Sequence, residues 1–181
     1  EKTLKKFGIP YKTAIVTRGH HAGYYPGAKN MVLKLIFDEN GKIFGAQAVG
    51  EAGVDKRIDV IATAIKGNLT VYDLPEIEIT YAPPYNSAKD PVNIAGYTAE
   101  NILKGDLEMV NYDEFWDFVK ENNAVILDVR TSKEFSGGAI EGAININVDD
   151  LRANLEKLDK NKTYAIYCQV GLRGYLANRI M

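Results

Sequence analysis

The chain has 181 residues, 46% of them hydrophobic and 25% charged, so it is long enough to bury one or two ordinary cores. Its formal net charge of -2 excludes the basic field that attracts nucleic acid or an anionic membrane surface, and we expect neither as a partner. No apolar run approaches the roughly 20 residues that span a bilayer, and the single cysteine excludes an intrachain disulfide, which favours the reducing cytoplasm.

Residues 1–104 are predicted to form an α+β domain in which an antiparallel sheet is followed by helices. The composition Asp38-Glu39-Asn40-Gly41 between two β-rich runs is typical of a hairpin. Apolar residues at helical spacing predict one helix, and a proline in the first turn marks a second. The predicted strands are Lys12–Arg18, Met31–Phe37 and Ile43–Val49, and the predicted helices are Asp55–Lys66 and Pro91–Leu103.

The composition changes near Gly105, so we place a linker at 105–109 and a second domain at 110–181. Strands alternate with helices in this domain, which predicts an α/β fold with a parallel sheet. Functional side chains are expected at the carboxyl ends of its strands. The predicted elements are helix Asp113–Lys120, strand Ala124–Val129, a helical turn at Ser132–Phe135, helix Asp149–Leu158, strand Thr163–Tyr167 and helix Gly171–Ile180.

The cysteine of the chain, Cys168, lies between a predicted strand and the last predicted helix. Backbone N–H groups of such a loop converge beside a helix amino terminus, which favours an anion and the reactive thiolate. Gly171 lets the backbone turn, and Arg173, which is always charged, can hold an anionic substrate or stabilise a leaving group. Most lone cysteines are inert packing residues, but this placement favours a nucleophile.

The pattern Cys168-x-x-Gly171-x-Arg173 resembles the active-site loop of single-domain rhodanese sulfurtransferases. Two further motifs resemble those of the family, in the same order: Asp128-Val129-Arg130-x-x-x-Glu134-Phe135 and Gly138-x-Ile140-x-Gly142-Ala143-x-Asn145-Ile146. One position departs, because Ala139 stands where the family commonly has histidine. Cell-cycle-type phosphatases share the architecture but have a longer loop between cysteine and arginine, so the short loop indicates sulfur chemistry.

The rhodanese resemblance implies that Cys168 accepts a sulfane sulfur as a persulfide, which Arg173 and backbone amides of the loop would hold. We expect Asp128 and Arg130 to support the fold and the loop by hydrogen bonds rather than to touch substrate. Because the family has a further strand and helix after the loop helix, the domain is predicted to be truncated at its carboxyl terminus. The persulfide-binding loop residues are Gln169, Val170, Gly171 and Leu172.

Residues 1–104 resemble the dimerisation domain of the pyridine nucleotide-disulfide oxidoreductases, in particular the coenzyme A-disulfide reductase branch. A fusion of that reductase with a carboxy-terminal rhodanese is a known arrangement, so the two resemblances support each other. The segments that carry the resemblance are Thr17–Ala28 (TRGHHAGYYPGA), Ile43–Gly50 (IFGAQAVG) and Tyr81–Pro91 (YAPPYNSAKDP).

In that family, tyrosines of the dimerisation domain reach into the partner subunit's site and assist sulfur chemistry at its cysteine. The resemblance therefore implies a homodimer formed through residues 1–104. Tyr85 is the leading catalytic candidate with Tyr81 behind it, and one of Tyr24 and Tyr25 is the other candidate. A phenol can donate a proton to a leaving thiolate, although tyrosines are equally common as plain interface residues.

The adjacent histidines His20 and His21 have no cysteine or carboxylate at ligand spacing, so we expect no metal site there. We expect both histidines to lie in a loop, with a cofactor phosphate as a candidate contact. The sequence also lacks a G-x-G-x-x-G fingerprint and a second cysteine. We therefore expect a fragment that binds neither FAD nor NAD(P)H by itself.

Together, the two resemblances imply part of an FAD- and NAD(P)H-dependent reductase of coenzyme A disulfides, persulfides or polysulfides. Small-molecule sulfur donors and coenzyme A thiols would be its partners, and Cys168 would pass sulfur to the flavin-linked reductase site. The alternative is a non-catalytic dimerisation and sulfur-sensing scaffold. A persulfide on Cys168 favours the enzyme, and an unreactive buried thiol favours the scaffold.

Overall fold

The computed structural model describes all of residues 1–181, which form two compact units, Glu1–Asp106 and Leu107–Met181. The division falls within the segment 105–109 that the composition marks as a linker. Every helix of the chain is too short or too polar to span a bilayer.

The first unit is an α+β domain with one antiparallel sheet of three strands in sequence order. Between the last two strands, Oδ1 of Asp38 accepts hydrogen bonds of 2.9 Å from the backbone N–H groups of Asn40 and Lys42. Gly41 completes this turn with a positive φ of 85°. The elements are α1 Lys2–Lys6, β1 Lys12–Gly19, β2 Asn30–Phe37, β3 Ile43–Gly50, α2 Val54–Lys66, a 3₁₀ turn at Leu74–Glu76 and α3 Pro91–Leu103.

The core of this unit lies between the sheet and helices α2 and α3. Alternate residues of β2, including Leu33 and Leu35, are fully buried, as in any strand with one covered face. Asp90 begins α3 with a capping box, in which its carboxylate accepts a hydrogen bond of 2.8 Å from Val92 N and its own N–H donates one of 3.0 Å to Asn93 Oδ1. This cap fixes where the preceding loop enters the helix.

A close approach of α3 to the 3₁₀ turn leaves no room for a side chain at Gly96, since a Cβ there would lie 2.6 Å from Pro75 Cδ and 2.7 Å from Leu74 Cβ. We expect Gly96→Ala to lower the free energy of unfolding by about 2 kcal/mol, because overpacking of ~3 kcal/mol exceeds the ~1 kcal/mol gained in helix propensity. Urea denaturation measures this loss. Gly45→Ala is the control, because a Cβ there meets nothing within 4 Å, and equal losses in both variants would contradict the clash.

The second unit is an α/β domain with a parallel sheet in the order β5-β4-β6. The sheets of the two units confirm the predicted fold class. Two short elements, α1 and β5, leave no periodic signal in the sequence. The elements of the second unit are α4 Phe115–Glu121, β4 Val125–Asp128, α5 Ser132–Ser136, β5 Ile144–Asn145, a 3₁₀ helix at Arg152–Lys157, β6 Tyr164–Tyr167 and α6 Leu172–Ile180.

One predicted helix is wrong, because the segment Asp149–Leu158 forms a 3₁₀ helix at Arg152–Lys157 instead of an α-helix. The side chain of Asn154 donates a hydrogen bond of 2.8 Å to Asp150 O, the carbonyl that the backbone N–H of Asn154 would use in an α-helix. That N–H donates instead to Leu151 O at 3.0 Å. A side chain that competes with the backbone therefore tightens this turn.

The register of β4 and β6 brings the candidate sulfur site together. Asp128 ends β4 and pairs with Tyr167, which ends β6, so both strands finish at the same edge of the parallel sheet. The residues that follow, Val129 and Cys168, therefore emerge side by side, where α/β sheets generally carry their functional groups. A buried apolar cluster supports this edge and consists of Leu127, Val129, Val148, Leu151, Leu158 and Ala177.

Candidate functional site

The thiol of Cys168 is half-buried where β6 ends, and α6 begins four residues later. Its sulfur accepts two hydrogen bonds from backbone N–H groups, at 3.2 Å from Gly171 N and 3.3 Å from Gly174 N. The loop turns through Gly171, whose φ of 99° is rarely adopted by a residue with a Cβ. Two amide donors and the first turn of a helix therefore face the sulfur, an arrangement that stabilises negative charge.

The other predicted loop residues lie around this sulfur with their side chains exposed. Gln169, Val170 and Leu172 all face solvent, and Val170 is 48% exposed. Backbone N–H groups of Gly171 and Gly174 are donors to Sγ. The exposed side chains of Gln169, Val170 and Leu172 are therefore available to contact a substrate molecule.

Arg173, in the first turn of α6, forms a two-point ion pair with Glu134. Its NH1 and NH2 groups donate to Oε2 and Oε1 at 2.8 and 2.7 Å. Hydrogen bonds to Glu134, and to a smaller extent the interaction with Cys168, raise the pKa of the Arg173 guanidinium. The sequence motif that begins at Asp128 contains Glu134 but does not by itself indicate a role for this carboxylate. The local sequence signal for Glu134 is the capping-box spacing Thr131-x-x-Glu134 at the start of α5.

Asp128 and Arg130 form an ion pair at the end of β4. The fully buried carboxylate of Asp128 accepts hydrogen bonds of 3.0 and 2.6 Å from Nε and NH2 of Arg130. Burial alone would raise the pKa of Asp128, but hydrogen bonds from Arg130 and Tyr167 outweigh it and hold that pKa below its usual range. Arg130 also donates to Gly138 O at 2.8 Å, so both side chains are engaged with the protein itself.

Tyr167 is a further member of this group that the motifs do not single out. Its ring lies against the guanidinium of Arg130 at 5.5 Å, and its hydroxyl accepts a hydrogen bond of 3.1 Å from Ile140 N. Burial and the neighbouring Asp128 raise the pKa of Tyr167, so it stays a neutral phenol. These contacts fix the segment around the exposed Ala139 against the sheet edge.

The four tyrosines with a predicted role lie on two loops of the first unit, residues 20–29 and 80–90, which we call the tyrosine loops. Tyr24 and Tyr81 meet, with their hydroxyl oxygens 3.1 Å apart. Tyr25 instead packs edge-on to a histidine ring. The side chain of Tyr85 is 65% exposed and has no hydrogen-bond partner within the chain.

The hydroxyls of Tyr24 and Tyr81 share one hydrogen bond, in which either group can be the donor. This bond raises the pKa of Tyr24, so Tyr24 stays a neutral phenol. The hydroxyl that accepts the bond keeps its own O–H free to donate to a third group.

A buried arginine joins the two tyrosine loops. Arg57 of α2 is 1% exposed and pairs with the Asp90 carboxylate, NH2 lying 2.8 Å from Oδ2. The same NH2 donates to His20 O at 2.7 Å and to Asn86 Oδ1 at 2.9 Å. The backbone adds Ala22 N to Asn86 O at 3.1 Å. No sequence pattern reveals this network, because its partners lie far apart along the chain.

The histidine pair contacts the backbone. Nδ1 of His20 accepts a hydrogen bond of 3.0 Å from Lys29 N, and Nδ1 of His21 lies 3.0 Å from Ala22 O. A cavity of about 420 Å³ is lined by His21, Arg18 and Lys89, among other residues. Its two cations suit an anionic group such as a phosphate.

Two family models match this chain. Residues 1–91 match the dimerisation domain of the pyridine nucleotide-disulphide oxidoreductases, and residues 111–181 match the rhodanese-like domain. Among curated proteins, the coenzyme A disulfide reductase of Staphylococcus haemolyticus (strain JCSC1435) is 47% identical over 93 residues, 51% of this chain and 21% of the relative. That of Staphylococcus aureus (strain bovine RF122 / ET3-1) is 49% identical over 98 residues, 54% of this chain and 22% of the relative.

Two solved structures cover 99% of the chain and so span both units. Reduced Bacillus anthracis CoADR-RHD is 52% identical with a TM-score of 0.95, and a NAD-dependent persulfide reductase from A. fulgidus is 38% identical with a TM-score of 0.87. This chain spans 32% of each of those chains and about a fifth of the curated relatives. It belongs to the pyridine nucleotide-disulphide oxidoreductase family, of which it carries the dimerisation domain followed by a rhodanese-like domain.

Proposed function

We propose that this chain is the dimerising and sulfur-collecting part of an FAD- and NAD(P)H-dependent reductase of coenzyme A disulfides, persulfides or polysulfides. The names of the similar proteins, coenzyme A disulfide reductase and NAD-dependent persulfide reductase, support the reductase class. The geometry around Cys168 supports the sulfur-collecting role, and the two backbone N–H groups aimed at its sulfur are the observation that carries it.

In the proposed step, the Cys168 thiolate attacks the outer, sulfane sulfur of a donor. A new S–S bond forms on Cys168, the S–S bond of the donor breaks, and its electron pair leaves with the departing thiolate. The persulfide sulfur takes over the negative charge, which Gly171 N and Gly174 N are placed to stabilise. Arg173 lies next to the same sulfur and keeps its positive charge at every relevant pH.

The persulfide would then be passed to a thiol such as coenzyme A. Reduction of the resulting persulfide or disulfide needs electrons, which FAD and NAD(P)H would supply in the whole protein. This chain has neither the G-x-G-x-x-G fingerprint nor a second cysteine, so we assign sulfur transfer to this chain and the flavin- and nicotinamide-dependent reduction to the rest of the whole protein. The cavity that contains Arg18 and Lys89 offers positive charge for the phosphates of a coenzyme A thiol.

We further propose that the first unit forms a homodimer and presents the tyrosine loops to the partner subunit. The loops carry exposed aromatic side chains, including Tyr24 at 76% and Tyr81 at 51% exposure, and exposed tyrosines are typical of interfaces. On the open face of the sheet, Val32 and Val49 pair across two strands with 42% and 75% of their surface exposed. Tyr81, supported by Tyr24, is the phenol best placed to donate a proton.

The proposal predicts that an organic persulfide, such as that of 2-mercaptoethanol, adds one sulfur atom to the chain. Intact mass spectrometry should show this adduct, peptide mapping should place it at Cys168, and a thiol acceptor should remove it. The control is the same chain with its thiol alkylated beforehand, which should gain no sulfur. An unmodified mass after treatment of the free thiol would contradict the enzyme and support the scaffold.

A further inference from the structure

The guanidinium of Arg173, beside the Cys168 loop, is already paired with the carboxylate of Glu134 before any substrate binds. Both terminal nitrogens of Arg173 contact the carboxylate of Glu134, at 2.8 and 2.7 Å. The two side chains are 28% and 34% exposed, so a molecule in solution can approach the pair. An approaching anion therefore meets a closed ion pair rather than a free guanidinium.

Glu134 is held firmly in this position. Its Oε2 accepts hydrogen bonds from the backbone N–H of Thr131 at 2.9 Å and from the Thr131 hydroxyl at 2.7 Å, in addition to that from Arg173. The hydrogen bond from Arg173 and those from Thr131 keep the pKa of Glu134 far below its usual range. Its negative charge is thus a permanent feature of the site.

When Cys168 is a thiolate, the three charged groups of the site carry a net charge of about one negative unit. With the thiolate of Cys168 counted as one negative charge, Arg173 contributes one positive charge and Glu134 one further negative charge. A dianionic donor such as thiosulfate must approach against this excess, whereas the persulfide of an uncharged thiol carries at most one charge. The chemistry is the same for both donors, since the S–S bond breaks with release of sulfite in one case and of a thiolate in the other.

We propose that Glu134 is a specificity-determining residue that disfavours dianionic sulfur donors and leaves Cys168 selective for persulfides of thiols. This inference rests on the proposed role of Cys168 as sulfur acceptor. It names the class of donor, an organic persulfide whose reacting end carries at most one negative charge.

The test compares Glu134→Gln with the unsubstituted chain. Glutamine is equally suited to the third position of a capping box, so the start of α5 is retained while the charge is removed. The loading of the full chain with sulfur is followed by quenched intact mass spectrometry, with thiosulfate and with freshly prepared 2-mercaptoethanol persulfide. The measured quantity is the ratio of the two loading rates, because a purely structural defect would slow both.

Glu134→Gln is expected to raise the thiosulfate-to-persulfide ratio on the order of tenfold at low ionic strength, and less at high salt. Glu134→Asp, which retains the charge, is expected to keep the original ratio. Glu156→Gln removes the same charge from an exposed residue without an ion-pair partner and should change nothing. An unchanged or lower ratio in Glu134→Gln would overturn the inference alone, whereas failure of the unsubstituted chain to accept sulfur from either donor would overturn the proposed function as well.

Discussion

Replacing Arg57 by methionine is expected to lower the free energy of unfolding of the Glu1–Asp106 unit by about 3–5 kcal/mol. Arg57 and Asp90 are 1% and 2% exposed, so the substitution leaves a carboxylate buried without its charge partner. Asn86, which is fully buried, and two backbone carbonyls lose hydrogen bonds at the same time. Each buried polar group left without a partner adds to the loss.

Urea denaturation followed by far-ultraviolet circular dichroism measures this effect. Trp116 is the one tryptophan and lies in the second unit, so its fluorescence reports that unit separately. Lys66→Met, at an exposed position of the same helix, should change the free energy by no more than ~0.5 kcal/mol. Asp90→Asn in the Arg57→Met background should recover part of the loss, because asparagine still caps α3 without a charge. A loss below ~1 kcal/mol in Arg57→Met would show that packing of the methionine replaces the ion pair.

Most secondary structure could be predicted because its causes are local. The alternation of Leu33 and Leu35 with polar or exposed neighbours marks a strand with one covered face. Asp90 followed by Pro91 marks the start of α3, since one caps the helix and the other fits its first turn. The exception at Asn154 is local too, but it depends on which partner a side chain selects, and periodicity carries no information on that choice.

The position of Cys168 could also be predicted from sequence, because a strand that runs directly into a glycine-containing loop and a helix creates the site by itself. The side chains that contact the functional residues could not be predicted from the sequence. Arg173 meets Glu134 from 39 residues away, and Tyr24 meets Tyr81 from 57 residues away. Such pairs are set by how elements pack in three dimensions, and a single sequence without aligned relatives contains no direct record of it.

Packing also changes which tyrosine is the strongest candidate. Pro83 and Pro84 restrict the backbone beside Tyr85, and this favours Tyr85 when only the sequence is considered, because a fixed backbone aims a side chain at low entropic cost. The role of Tyr85 remains a prediction. Tyr81 has the additional support of Tyr24, whose hydroxyl is 3.1 Å away, and lies on a segment anchored by the Arg57 network.

In the whole protein, if it is the reductase proposed above, Tyr81→Phe is expected to slow the reduction of a persulfide or disulfide by on the order of 10²–10⁴, the usual contribution of a positioned general acid. The substitution removes only a hydroxyl, so dimerisation and flavin content should be unchanged. Tyr24→Phe should have a smaller effect, severalfold, because it removes the hydrogen bond that orients the Tyr81 hydroxyl but leaves that hydroxyl in place. The measurement is stopped-flow oxidation of the reduced flavoenzyme by substrate.

Tyr72→Phe supplies the matched control, since Tyr72 is a half-exposed phenol of the same unit outside both tyrosine loops. Its rate should equal that of the unsubstituted enzyme. Tyr85→Phe distinguishes the two candidates, because a phenol with no supporting partner is expected to contribute little when its hydroxyl is removed. A larger defect in Tyr85→Phe than in Tyr81→Phe would return the role to Tyr85. Equal rates in all four variants would mean that these tyrosines serve the dimer interface and that the proton for the leaving thiolate comes from another group.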